Sequence, residues 1–239
     1  RGASHRVPAF MMDATGETSS GDLRVQGRRL HYTSRGSGPS VLLVHGLGAT
    51  SHIWEQLALP GFRLVAVDLP GCGASEARDG AQGPRELAAL LHELMSQLAP
   101  GPYAVLGHSL GGLVALELGL LHPDQVRGLM IFNIPLRLPR IVRLASAPLV
   151  GDTIFRLPAL MPASRMAVRL YLNFIFGNPA KVTDPIVDAY ARISGAPGYY
   201  AAMLVGLRGL AAWAHGERLS KLVPPLRIVW GDRDRMFPM

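Results

Sequence analysis

Short apolar runs, each closed by a glycine or a polar residue, recur along the chain. They are Val41-Leu42-Leu43-Val44, Leu64-Val65-Ala66-Val67, Tyr103-Ala104-Val105-Leu106, Leu129-Met130-Ile131-Phe132 and Leu226-Arg227-Ile228-Val229-Trp230. Mostly apolar at successive rather than alternate positions, they predict strands covered on both faces, as in a parallel sheet. Ahead of them, Leu23-Arg24-Val25 and Leu30-His31-Tyr32 flank Gln26-Gly27 and predict a β-hairpin. From Pro84 to Leu98 leucine returns at positions 87, 90, 91, 94 and 98, which predicts a helix with proline in its first turn. Strand alternating with helix implies a doubly wound α/β sheet with right-handed crossovers.

The spacing of these runs divides the chain. Residues 1–21, with no periodicity and a Thr/Ser/Gly cluster from Thr15 to Gly21, read as a loose leader. A core follows over 22–133 and resumes over 216–239. About ninety residues separate Phe132 from Leu226, too many for one crossover, so 134–215 is expected to be an inserted helical lid. Pro135, Pro139, Pro148, Pro158 and Pro162 cut its first half into short helices.

Composition narrows the function. At 239 residues, 49% hydrophobic and 17% charged, the chain has apolar material for a sizeable core. Cys72 is the single cysteine, which excludes an internal disulfide and a multi-cysteine zinc site. A reducing, cytoplasmic setting is the expectation. The net charge of +7 is carried almost wholly by arginine, yet no basic run tracks a phosphate backbone, so nucleic acid is not an expected partner. Between Leu136 and Phe176 six arginines face one acid, Asp152, and the spacing 137/140/143 predicts one arginine-bearing helix face. From spacing alone that face reads as an ordinary solvated one, without membrane contact; the alternative is a face that touches anionic lipid or an acidic substrate, as in a peripheral membrane lipase.

The chemistry is concentrated in Gly107-His108-Ser109-Leu110-Gly111, directly after one strand and directly before an apolar helical run. A nucleophile on such a turn is held in a strained backbone, and small residues two before and two after leave room for it. The helix beginning at Leu110 aims its positive end at the same point. His45-Gly46-Leu47-Gly48 follows the first buried strand, and its Leu47 N–H could join that of Leu110 as a second oxyanion donor. In the last loop Asp232 and Asp234 are both chemically suitable acids, and Asp68 closes its strand as a structural residue. Cys72 has no histidine motif beside it and is a poor nucleophile.

Together with Val67-Asp68-Leu69-Pro70-Gly71-Cys72-Gly73-Ala74-Ser75, His122-Pro123 and Trp230-Gly231-Asp232-Arg233-Asp234, these blocks resemble the α/β-hydrolase superfamily. The likeness is to its lid-bearing branch with a His-Gly oxyanion motif. It implies the α/β-hydrolase fold, Ser109 as nucleophile, Leu47 and Leu110 as oxyanion donors, and Asp234 as the acid. No cofactor or metal is implied. The family order is serine, acid, histidine, yet the last histidine here is His215, before the acid loop. The expectation is therefore that the sequence stops before the triad histidine and the last strand and helix, and that the 239 residues alone are nearly inactive. The expected activity is hydrolysis of an ester or related acyl bond in a small to medium hydrophobic substrate. The alternatives are a non-enzymatic small-molecule receptor, a C–C bond hydrolase or a cofactor-free haloperoxidase-like enzyme. Met161, Met166, Phe174, Phe176, Met203 and Trp213 are expected to wall an apolar pocket under the lid.

Overall fold

In the computed structural model, residues 18–77, 82–136, 138–159, 164–213 and 216–237 are described. The first seventeen residues of the expected leader, Arg137, Met161, His215 and the last two residues lie outside these segments.

Seven strands form one sheet in the order β1-β2-β4-β3-β5-β6-β7. They are β1 (Ser19–Val25), β2 (Arg28–Arg35), β3 (Ser40–Val44), β4 (Arg63–Val67), β5 (Tyr103–His108), β6 (Val126–Phe132) and β7 (Leu226–Val229). The first two pair antiparallel, β2 is antiparallel to β4, and every later pairing is parallel. Pairing begins at Ser19, three residues before the expected start. Val25 faces Arg28 across Gln26 (φ 51°) and Gly27 (φ 78°). Two positive φ values make the two-residue turn whose twist matches the strands it joins.

The helices α1 (Pro84–Leu98) and α2 (Leu110–Leu121) pack on each other against the sheet. In α2 the apolar residues run right round the cylinder, and nearly all are buried, as expected of a helix wedged between sheet and helix. Leu113, Leu116 and Leu118 are fully buried there, each contributing about 1.5–3 kcal/mol. The one charge on this helix, Glu117, is also fully buried. It accepts hydrogen bonds from Trp213 Nε1 (2.7 Å) and Arg218 Nη2 (2.6 Å).

Between β6 and β7 lie α3 (Arg140–Ser146), α4 (Val150–Ala159), α5 (Arg165–Ile175), α6 (Asp184–Ser194) and α7 (Tyr199–Ala212). Three details differ from expectation. The helix α3 starts at Arg140 behind Pro139, so of the three spaced arginines it carries Arg140 and Arg143. Met166 and Phe174 face solvent, and Trp213 is drawn down to Glu117, while Met203 lies against Gly48. The strand β7, expected to be buried, is the outer strand of the sheet, with Ile228 and Val229 exposed. Among the described residues no helix is long and apolar enough to cross a membrane.

Candidate active site

At the β5–α2 junction Ser109 adopts φ 53° and ψ −119°, a region costly for any residue with a Cβ. The surrounding packing over-determines it. A Cβ on Gly107 would stand 2.2 Å from the Gly111 carbonyl oxygen, and one on Gly111 would stand 2.1 Å from the Val44 oxygen. With glycine at both places the helix starts hard against the strand ends. The Ser109 N–H donates to the Phe132 carbonyl (2.9 Å), and the Ser109 carbonyl accepts from Gly112 N–H (2.9 Å). The turn is thus tied to β6 on one side and to α2 on the other.

Facing it is the loop after β3. A Cβ on Gly46 would lie 3.0 Å from Ser109 Cβ, so the loop backbone passes directly beside the serine. The Ala49 N–H closes a turn onto the Gly46 carbonyl (3.2 Å), with Leu47 and Gly48 at its centre. At the head of α2, the Leu110 N–H precedes the helix's own hydrogen-bond ladder. Above the loop lies α7. Tyr199 Oη donates to the Gly48 carbonyl (3.2 Å), and a Cβ on Gly206 would meet Leu47 Cδ1 at 2.6 Å.

His45 is fully buried and uses both ring nitrogens. Its Nδ1–H donates to the Gly46 carbonyl (2.8 Å), and Nε2 accepts from Leu69 N–H (3.0 Å). Burial holds its pKa below the ordinary histidine value, so it is a neutral brace for the loop. Burial lowers the pKa of His108 too, and neighbouring His45 lowers it further, against an opposing pull from Asp234. His108 Nδ1 is buried without a hydrogen-bond partner among the described residues.

Asp234 and Asp232 part company. Asp232 is exposed. In Asp234, Oδ1 accepts from the N–H groups of Met236 (2.8 Å) and Phe237 (2.9 Å), and Oδ2 accepts from Asn133 Nδ2 (2.5 Å). Asn133 follows β6 at φ 47°, and its N–H donates to the Val229 carbonyl (3.2 Å). The sequence reading passed over Asn133. Its only signal was an asparagine closing the strand next to the serine's, a residue type that tolerates positive φ. The result is one connected path, with Ser109 bound to Phe132, Asn133 next in chain, and Asn133 holding Asp234.

Asp68 braces a different loop, accepting from Ser51 N–H (2.8 Å) and Ala74 N–H (2.9 Å). Burial pushes the Cys72 thiol up to about 12, so the thiolate needed for nucleophilic attack is scarce at neutral pH. Beside Cys72 a cavity of ≈ 150 Å³ lies between Thr50, Ser75 and the Ile193–Tyr199 segment. Among the described residues no cluster of His, Cys, Asp or Glu is arranged to hold a metal ion.

Residues 39–239 match the sequence model of the alpha/beta hydrolase fold, and the chain belongs to that family. An uncharacterized protein of Mycobacterium tuberculosis is 28% identical over 231 residues, spanning 90% of this chain and 67% of the relative. The pimeloyl-[acyl-carrier protein] methyl ester esterase of Vibrio campbellii is 30% identical over 225 residues, 88% of this chain and 82% of that enzyme. Among solved structures, a hydrolase from Pseudomonas aeruginosa PA01 superposes with a TM-score of 0.77 at 23% identity, covering 92% of this chain and 82% of its own. The epoxide hydrolase CorEH superposes at 0.76 and 22% identity, covering 91% and 83%. These structural likenesses speak to the fold.

Proposed function

We propose that this hydrolase is a serine esterase acting on an ester or related acyl bond of a small to medium hydrophobic substrate, with Ser109 as the nucleophile. The observation that carries the reading is the left-handed Ser109 backbone between strand and helix, with the Gly46–Gly48 loop beside it. The esterase name of the Vibrio relative supports ester chemistry.

In this mechanism Ser109 Oγ attacks the carbonyl carbon and passes its proton to a histidine base. The tetrahedral oxyanion is held by the N–H groups of Leu47 and Leu110. Collapse expels the alcohol, which takes the proton back from the imidazolium, and water repeats the cycle on the acyl-enzyme. Asp234, fixed by Asn133 and two backbone N–H groups, orients that base. The base is assigned to a histidine outside the described residues, because the described histidines are engaged elsewhere or unsuited. His45 has both nitrogens occupied, His31 pairs with Asp22, His52 with Glu55, and His92 stacks on His122. His108, next in chain to the serine, points its Nδ1 toward Gly46. The α3–α7 segment acts as the lid, with α7 lying over the oxyanion loop.

The test is turnover of p-nitrophenyl esters by the complete polypeptide. Ser109→Ala is expected to lower kcat on the order of a million-fold, and Asp234→Asn on the order of ten-thousand-fold, with little change in KM. Undiminished turnover by Ser109→Ala would remove the reading.

A further inference from the structure

The turn joining α3 to α4 displays apolar side chains where folding does not ask for them. Leu149 is 81% exposed, and the two helices it joins expose Ile141 (71%) and Leu144 (54%) on α3 and Ile154 (47%) on α4. Leu149 is also at φ 65°. A left-handed backbone disfavours leucine and suits asparagine or glycine, so neither burial nor backbone geometry accounts for leucine at this place. The turn itself is well tied down. The Leu149 N–H donates to Asp152 Oδ2 (3.2 Å), and the Leu149 carbonyl accepts from Thr153 N–H (3.0 Å) and Thr153 Oγ1 (2.8 Å). What it presents is an exposed apolar tip held by hydrogen bonds.

Charge identifies what the tip meets. The described side chains of α3 and α4 carry Arg140, Arg143 and Arg156 against a single acid, Asp152. That acid is paired with Arg208 Nη2 (3.0 Å). Arg140 and Arg143 are exposed, interleaved with Ile141 and Leu144 on the outer side of α3. Arginine can lay its aliphatic stem along an apolar surface while its guanidinium reaches outward. An exposed leucine, with Arg140 and Arg143 along the helix that leads to it, fits a surface with negative headgroups over a hydrocarbon interior. Behind the tip, α4 packs on α7, where a Cβ on Gly151 would meet Leu204 Cδ1 at 2.7 Å. Since α7 covers the Gly46–Gly48 loop, the tip is one helix layer from Ser109.

We propose that the α3–α4 tip docks the protein on an anionic lipid bilayer, Leu149 entering the interface and Arg140 and Arg143 contacting lipid phosphates. Docking is independent of the chemistry at Ser109. The experiment is flotation of the complete polypeptide with vesicles of phosphatidylcholine alone and of equal parts phosphatidylcholine and phosphatidylglycerol. The protein is expected to float with the anionic vesicles only, and less so as salt is raised. Leu149→Asn should lower binding at least tenfold while the melting temperature holds or rises, since asparagine suits that backbone. Ile154→Gln is a second probe of the tip that leaves the turn residue intact. Arg140→Gln with Arg143→Gln should lower binding on the order of tenfold, and Ser109→Ala should float like wild type. Absence of flotation, equal flotation with both vesicle types, or undiminished flotation of Leu149→Asn would overturn the proposal. Self-association that Leu149→Asn abolishes, without flotation, would overturn it in favour of a protein interface.

Discussion

Replacing Gly111 by alanine sets two physical effects against each other with opposite signs. Alanine in a helix normally gains up to about 1 kcal/mol over glycine. Here the added Cβ would stand 2.1 Å from the Val44 oxygen, 2.6 Å from the Val44 carbon and 2.7 Å from the His45 oxygen. All three are backbone atoms. Val44 ends β3 and is paired with Val67 on one side and Gly107 on the other, so the strand cannot yield without disturbing the sheet. Ordinary contact begins near 3.4 Å, which leaves α2 to lift by about 1.3 Å and lose packing along its buried length. Overpacking of this kind costs about 1–3 kcal/mol or more, and with no flexible side chain to absorb it the expected loss is about 3 kcal/mol. For a domain of this size that lowers Tm by roughly 6–12 °C. Gly27→Ala is the matched control, with φ 78° and nothing within 4 Å of the added Cβ. It carries the torsional penalty alone, about 1 kcal/mol. Thermal and urea unfolding of both variants measure the difference. A Gly111→Ala protein as stable as wild type, or a Gly27→Ala protein that loses more, would refute the steric account of the Ser109 turn.

Ser109→Gly should melt a few degrees above Ser109→Ala, because only glycine relieves the φ of 53°, worth about 1 kcal/mol; differential scanning calorimetry compares them. Glu117→Ala leaves Trp213 Nε1 and Arg218 without this carboxylate. An expected loss of about 3 kcal/mol, reduced somewhat because Arg218 is partly exposed, should appear in the urea midpoint. Stability should fall as pH drops below about 6.5, because unfolded His45 and His108 take up protons that their buried, neutral native forms refuse. A pH series of urea midpoints that is flat from 7 to 5 in wild type but sloped in His45→Gln would contradict that assignment. Cys72, with its pKa pushed up to about 12, should resist iodoacetamide at pH 8 in the native protein and react on unfolding, as mass spectrometry would record.

The parallel core could be read from the sequence because its strands are apolar on both faces, a pattern that local composition writes directly. Val41–Val44 and Leu64–Val67 appear as strands in almost the same places. Gly107 and Gly111 flanking Ser109 were likewise legible, since a crowded turn excludes side chains whatever lies elsewhere. Leu226–Val229 was legible as a strand too, but its exposure was not, because an apolar run carries no information on which of its edges is paired. Asn133 escaped for a related reason. Its partner Asp234 is 101 residues away, and only the adjacency of β6 and β7 brings the two together. The excess of arginine in the insertion was visible as composition. Its association with an exposed leucine at positive φ required the backbone.

The claim on which the rest depends is that Ser109 is an activated nucleophile. Intact-protein mass spectrometry of the complete polypeptide after treatment with a fluorophosphonate tests it directly. The account predicts a single adduct, located on the peptide containing Ser109 and absent from the Ser109→Ala variant. An adduct that persists in Ser109→Ala, or a folded wild-type protein that takes up none, would contradict it.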